Sequence, residues 1–145
     1  MTLHLIKLSV GVESLDHLAD LQRDRLAARR ARGETPDLMH ITRMWPRRQE
    51  ELLDGGSLYW VIKGSVRCRQ RLLGFAETVN GRGQPACGLV LDPELVAVAP
   101  RSFRAFQGWR YLAPADAPRD LARNGAQDAD LPPEMAEELR GLGLI

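Results

Sequence analysis

The 145-residue sequence predicts an α+β fold: a small, mostly antiparallel β-barrel with flanking helices. Two observations carry that prediction. Strand and helix signals run β-α-β-α as far as residue 56, and four strand signals then follow one another, the order of an α+β chain and not of an alternating parallel one. Tight-turn residues join the later strands, Gly64-Ser65 after one and Asn80-Gly81 after the next, and short strands joined this way favour a small barrel. The length is that of one domain, residues 1–145, with a core over 1–112 and an acidic helical extension over 113–145.

Each element has a local reason. "LHLIKLSV", residues 3–10, suits a half-buried first strand. Ser14 then reads as an N-cap with Asp16 in the first turn. Leu15, Leu18, Leu21 and Leu26 keep helical spacing, Arg29, Arg30 and Arg32 complement the dipole at the far end, and Gly33 stands at C′. "HITRMW", residues 40–45, predicts a short strand, and Pro46 sits at N1 of a second helix, "PRRQEELLDGG". Strands follow at 57–63 and from 65 onward. "CGLVLDPELVAVAP" reads as a strand interrupted or bulged at Asp92-Pro93, and "FQGWRYL" as the last strand candidate. "APADAP" is a linker, and "PRDLAR" and "PPEMAEELRGLG" are short acidic helices.

Composition narrows the setting. Hydrophobic residues make up 44% and charged ones 27%, an ordinary balance for a chain with one core. No apolar run approaches the ~20 residues of a membrane span. The N-terminus lacks a basic region followed by an uninterrupted apolar stretch and a small-residue cleavage site, so a cytoplasmic protein with no membrane partner is expected. Cys68 and Cys87 are too few for a disulfide framework. The net charge of +1 hides an asymmetry: residues 40–111 hold 11 basic and 6 acidic side chains, and residues 112–145 hold 3 and 7.

Placement of the arginines is the main functional signal. Arg67, Arg69 and Arg71 occupy alternate positions of one strand and so share a face. Register decides which face. A three-residue turn with a bulge sets Trp60 opposite Cys68 and joins the apolar sets, whereas a two-residue Gly64-Ser65 turn would place arginines against the core. Leu58, Trp60, Ile62, Val66 and Cys68 are therefore expected inside, with Tyr59, Lys63, Arg67, Arg69 and Arg71 facing out. Such a face is either solvated surface or a phosphate-contacting strip, with Tyr59 or Trp109 stacking on bases. Arg43, Arg47 and Arg48 cluster at the start of the second helix, where backbone N–H groups favour an anion. Arg110 flanks Trp109.

Catalytic signals are absent. His4, His17 and His40 form no metal-binding pattern, and no cofactor is implied. Cys68 with His40 would make a nucleophile pair only if the fold joined them; a small core residue is the expected role of Cys68. "DGGS" is explained by helix termination, and no phosphate-loop or nucleophile-elbow pattern occurs.

The run "HITRMWPRRQEELLDGGSLYWVIKGSVRCRQRLLG", with "LVLDPELV" and "RAFQGWRYL" after it, resembles an alphaproteobacterial family of small proteins, domain of unknown function 1489. The resemblance covers most of the chain up to Leu112 and implies a cytoplasmic bacterial setting, but no activity. Residues 40–112 also resemble the PUA-like superfamily with its ASCH and EVE branches, on "PRRQEELLDGGSLYWVIKG" and the later strand order. That likeness implies a pseudo-barrel, often one that binds RNA or modified bases. The expected function is a non-catalytic RNA- or modified-nucleotide-binding module using Arg43, Arg47, Arg48, Tyr59, Lys63, Arg67, Arg69, Arg71, Trp109 and Arg110. The alternatives are a small enzyme acting on a nucleotide or phosphorylated metabolite, with Glu50 or Glu51 as acid/base, and a protein-interaction module docking through its acidic tail.

Overall fold

Strand β1 (His4–Leu8) and helix α1 (Leu15–Ala31) open the chain as the spacing predicts. The Ser14 hydroxyl accepts from the His17 N–H at 3.1 Å, and Gly33 takes the left-handed φ of +73° that ends the helix. The computed structural model describes residues 2–104 and 106–121. The helix expected over "PPEMAEELRGLG" lies outside the described residues.

Two of the next elements differ from expectation. Strand β2 runs Leu38–Thr42 and ends before "RMW". Helix α2 is five residues, Gln49–Leu53, so Pro46 precedes it and does not open it. The cause is local. The Tyr111 hydroxyl accepts from the backbone N–H groups of Arg47 and Arg48 at 2.9 and 3.2 Å, holding residues 46–48 in a non-helical turn.

Strands β3 (Ser57–Ile62) and β4 (Ser65–Val79) form the central hairpin. Trp60 pairs with Cys68 as expected, but by another route. The turn is the two residues Lys63 and Gly64, with φ of +50° and +78°, the left-handed pair that matches strand twist. The bulge lies inside β4, where Arg67 is the extra residue between Val66 and Cys68.

At 15 residues, β4 belongs to two sheets. Its first half lies between β3 and β6 (Val96–Ser102). Its second half pairs with β5 (Pro85–Leu91), which pairs with β2. A second bulge, at Leu73, marks the passage from one sheet to the other. Strand β1 pairs in parallel with β3 and antiparallel with β7 (Trp109–Leu112). "CGLVLDPELVAVAP" is therefore two strands: Asp92 accepts from the Glu94 N–H in a turn that carries the chain from one sheet to the other. The Asn80-Gly81 hairpin has a five-residue loop, 80–84, held by the Asn80 side chain, which accepts from Arg82 and Gln84.

The strand path begins at β2 and ends at β7, and among the described residues no ladder joins those ends, so the sheet does not close into a barrel. Side chains bridge the gap instead: the Trp109 indole donates to the Met44 carbonyl at 2.9 Å, beside the two Tyr111 bonds. "PRDL" is extended, not helical. Asp120 bridges Val98 beside β6, and Leu121 is buried in the main core.

There are two cores. The larger gathers Leu5, Leu15, Leu52, Leu58, Trp60, Ile62 and Leu89. The smaller, on the other face of β3, holds Ile6, Tyr59, Val61, Val66, Val98 and Leu112. Every residue of β3 is consequently buried. This corrects two expectations. Tyr59 does not face out; it is 4% exposed, because Val98, Phe103 and Phe106 cover that face. Val66 is inside, but in the second core, because the bulge at Arg67 reverses its facing relative to Cys68.

Candidate functional site

The expected arginine strip is not a row of free cations. Arg67 is half-buried at the bulge. Arg69 pairs with both oxygens of Asp120, at 2.7 and 2.5 Å, and donates to the Ser57 hydroxyl at 3.0 Å. The bond to Asp120 raises the Arg69 pKa. Arg71 is exposed, but the open groove it shares with Arg69 also contains Asp92, Glu94 and Asp120. Lys63, in the turn, pairs with Glu13 at 2.6 Å. Behind the strip, burial raises the Tyr59 phenol and lowers the His4 imidazole, the latter with help from the Arg69 charge.

A second arginine group lies at the gap between β2 and β7. Arg43, Arg47, Arg48 and Arg110 are all exposed there or on β7. Arg48 pairs with Glu51 and lies 5.7 Å from the Tyr111 ring centroid, and Arg110 lies 4.7 Å from that of Phe106. Met44 and Trp45, between these arginines in sequence, are 67% and 40% exposed. Trp109 is half-buried, edge-on to Tyr111 at 5.0 Å, and tied to Met44. The structure thus ties Met44, Arg47 and Arg48 to Trp109 and Tyr111 through named bonds, with Arg43 exposed next to Met44 in sequence, and places Arg67, Arg69 and Arg71 on a different strand group. The anion position expected at the helix start is taken: the N–H groups of Arg47 and Arg48 already donate to Tyr111.

A third place was not singled out by the sequence. Lys7, Trp60 and Trp109 lie side by side on adjacent strands, and with Cys68 make one row on the face of the main core. Above Lys7 and Trp60, between the sheet, α1 and β2, is a cavity of about 130 Å³ lined by Lys7, Leu18, Gln22, Arg25, His40 and Trp60 among others, with no carboxylate among the described residues. Two of its lining residues, Gln22 and Trp60, are held by an amide network behind them. Gln22 and Gln70 bond each other reciprocally at 2.8 and 2.9 Å, the Trp60 indole donates to Gln70 at 2.8 Å, and Gln70 donates to the Asp92 carbonyl at 3.0 Å. Every polar atom of the Gln70 amide is thereby satisfied. His40 stands edge-on to Trp60 at 5.0 Å, and its Nε2 is buried without a hydrogen-bond partner. Burial pushes the His40 imidazole down to about 4, with the charges of Lys7 and Arg25 adding to the effect, and burial also lowers Lys7.

Cys68 and Cys87 are buried, and burial raises the Cys87 thiol. Among the described residues no group of His, Cys, Asp and Glu is placed to hold a metal ion. Glu50 and Glu51 do not line the cavity.

A family model described as protein of unknown function (DUF1489) matches residues 5–145. The chain belongs to the DUF1489 family. The match spans both sheets, the arginine-rich turn and the cavity of this DUF1489 chain. No curated protein and no solved structure matches it.

The sequence reading missed Trp45, Lys7 and His40 as site candidates. Trp45 had a visible signal: it stands next to Pro46 in a short run flanked by Arg43, Arg47 and Arg48, an aromatic set among cations at a turn. Lys7 had one too, as a lone cation among the apolar residues of the first strand. His40 had none, since its partners come from distant elements.

Proposed function

We propose that this DUF1489 chain is a non-catalytic RNA- or nucleotide-binding module whose contact surface is the turn "RMWPRR" and the end of β7 next to it. The observation that carries the reading is an exposed Trp45 set among Arg43, Arg47 and Arg48 on a turn fixed by Tyr111 and Trp109. A fixed turn loses little freedom on binding. Arginines neutralise phosphates and an exposed indole stacks on a base, at about 1–3 kcal/mol per stacked base. We also infer the finer fold, a PUA-like pseudo-barrel closed by side chains instead of a ladder; the three bonds from Trp109 and Tyr111 to residues 44–48 support it. No helix among the described residues is long and apolar enough to cross a membrane, and a cytoplasmic setting fits an RNA partner.

The test is fluorescence anisotropy of a labelled single-stranded oligouridylate titrated with the protein across a salt series. Changing Arg43, Arg47 and Arg48 together to Gln is expected to shallow the slope of log K against log salt by about 2. Trp45→Ala is expected to weaken binding by about fivefold or more with the slope unchanged. A parallel triple change of Arg67, Arg69 and Arg71 is expected to move the slope less, because Arg69 is clasped by Asp120. No binding by the unaltered protein at low salt, or an unchanged slope in the Arg43/Arg47/Arg48 variant, would overturn the reading.

A further inference from the structure

The cavity between α1, β2 and the β1–β3 sheet has the properties of a separate small-molecule site. Its size is close to that of an apolar cavity that takes a single benzene, about 150 Å³, so it suits one six-membered ring. Its walls, however, are not only apolar. Leu18, Leu21, Leu38 and Leu91 supply one side, and Trp60 is locked in orientation by its bond to Gln70.

Among the described residues its charge is one-sided: Lys7 and Arg25 both line it, no carboxylate does, and neither makes an ion pair. Lys7 is half-buried on the first strand, where an ammonium without an anion is costly. The Nε2 of His40 is a second uncompensated polar group on the same cavity wall. Two such groups around one ring-sized space describe a missing partner that carries negative charge.

We propose that this cavity binds a small molecule made of one planar ring bearing an anionic group, a carboxylate or a phosphate, with the ring between the leucines and Trp60 and the anion at Lys7 and Arg25. His40, neutral there, hydrogen-bonds a ring or anion atom through Nε2. The site uses none of Arg43, Trp45, Arg47 or Arg48, so it stands independently of the RNA reading.

The experiment uses the full chain labelled with ¹⁵N, with benzoate and phenyl phosphate as anionic probes and benzamide as the neutral control of benzoate's shape. The Trp60 indole N–H resonance, assigned by Trp60→Phe, reports occupancy, and calorimetry gives Kd. Saturable shifts of that resonance are expected with at least one anionic probe, and the anionic probe that binds is expected to do so about tenfold or more tighter than benzamide. Which anion binds separates a free carboxylate from a phosphate source. Lys7→Gln is expected to remove the preference over benzamide while its thermal midpoint stays at or above that of the unaltered protein, since a half-buried charge is removed. A second variant, Leu21→Trp, fills the space and is expected to abolish binding of all three probes. Absence of any saturable shift, equal affinity for charged and neutral probes, or an unaltered preference in Lys7→Gln would overturn the proposal. The oligouridylate titration of Lys7→Gln is expected to match the unaltered protein, so failure of the pocket and failure of the RNA surface are read separately.

Discussion

His40 is held in the folded chain as a neutral imidazole, and that makes its contribution to stability depend on pH. Its ordinary value is 6.5, and burial with Lys7 and Arg25 nearby takes it to about 4. Above pH 6.5 both folded and unfolded states carry it neutral. As pH falls, the unfolded chain takes the proton first, so stability is lost progressively toward pH 4 and levels off below. Between pH 7 and pH 5 the loss assigned to His40 is roughly 2 kcal/mol. Urea unfolding of the unaltered protein and His40→Gln at the two pH values should therefore differ in pH dependence by about that amount; equal dependence would remove His40 from the account. His4, also lowered by burial, acts in the same direction but equally in both proteins. The same residue shows where the sequence falls silent. His40 has an apolar neighbour in Ile41, but its ring partner Trp60 is 20 positions away, and nothing local announces it. Gln70, by contrast, falls on the inward face of β4 with Cys68 and Leu72 by strand alternation alone, and an inward amide requires partners, here Gln22 and Trp60.

Among the elements, the joint between α2 and β3 is the least forgiving. Gly56 lies so close to the carbonyls of Leu3 and Leu52 that a Cβ would strike backbone on both sides. Gly88 on β5 is also crowded, but by the end of the Met39 side chain, which has room to swing. Gly56→Ala is expected to cost about 3 kcal/mol or more and Gly88→Ala less than about 1.5 kcal/mol, read from urea midpoints at constant m. Similar costs at both sites would show that the joint yields. The elements also show what local sequence signals can carry. α1 was legible with both ends because its cap, its leucine spacing and Gly33 are short-range features. The pairing of Trp60 with Cys68 was legible because burial permits only one register. The five-residue length of α2 was not, because the backbone of residues 47 and 48 is held by Tyr111, more than 60 residues downstream. Nor was the burial of Tyr59, since its cover comes from β6 and the residues after it.

On the scale of the whole molecule, the charge asymmetry of the sequence takes a partial form in space. Asp120, the last acidic residue described, clasps Arg69 and neutralises the middle of the β4 strip. The turn at Arg43–Arg48 keeps its excess of positive charge, with Glu51 as the counter-ion of Arg48. The total charge could not show which group stays free; that depends on the extended run of residues 117–121 along β6. The bent strand β4 has a consequence of another kind. Among the described residues it is the only strand bonded in both sheets, with β3 and β6 on its first half and β5 on its second. Neither sheet can come apart without losing ladder bonds to that one strand, so the molecule has no seam along which half of it opens alone. Native-state amide hydrogen exchange should report this directly: the slowest amides in residues 66–72 and in residues 74–78 are expected to exchange with the same free energy, that of global unfolding. A markedly lower value for the second group would mean that the bulge at Leu73 is a hinge between two separately unfolding units.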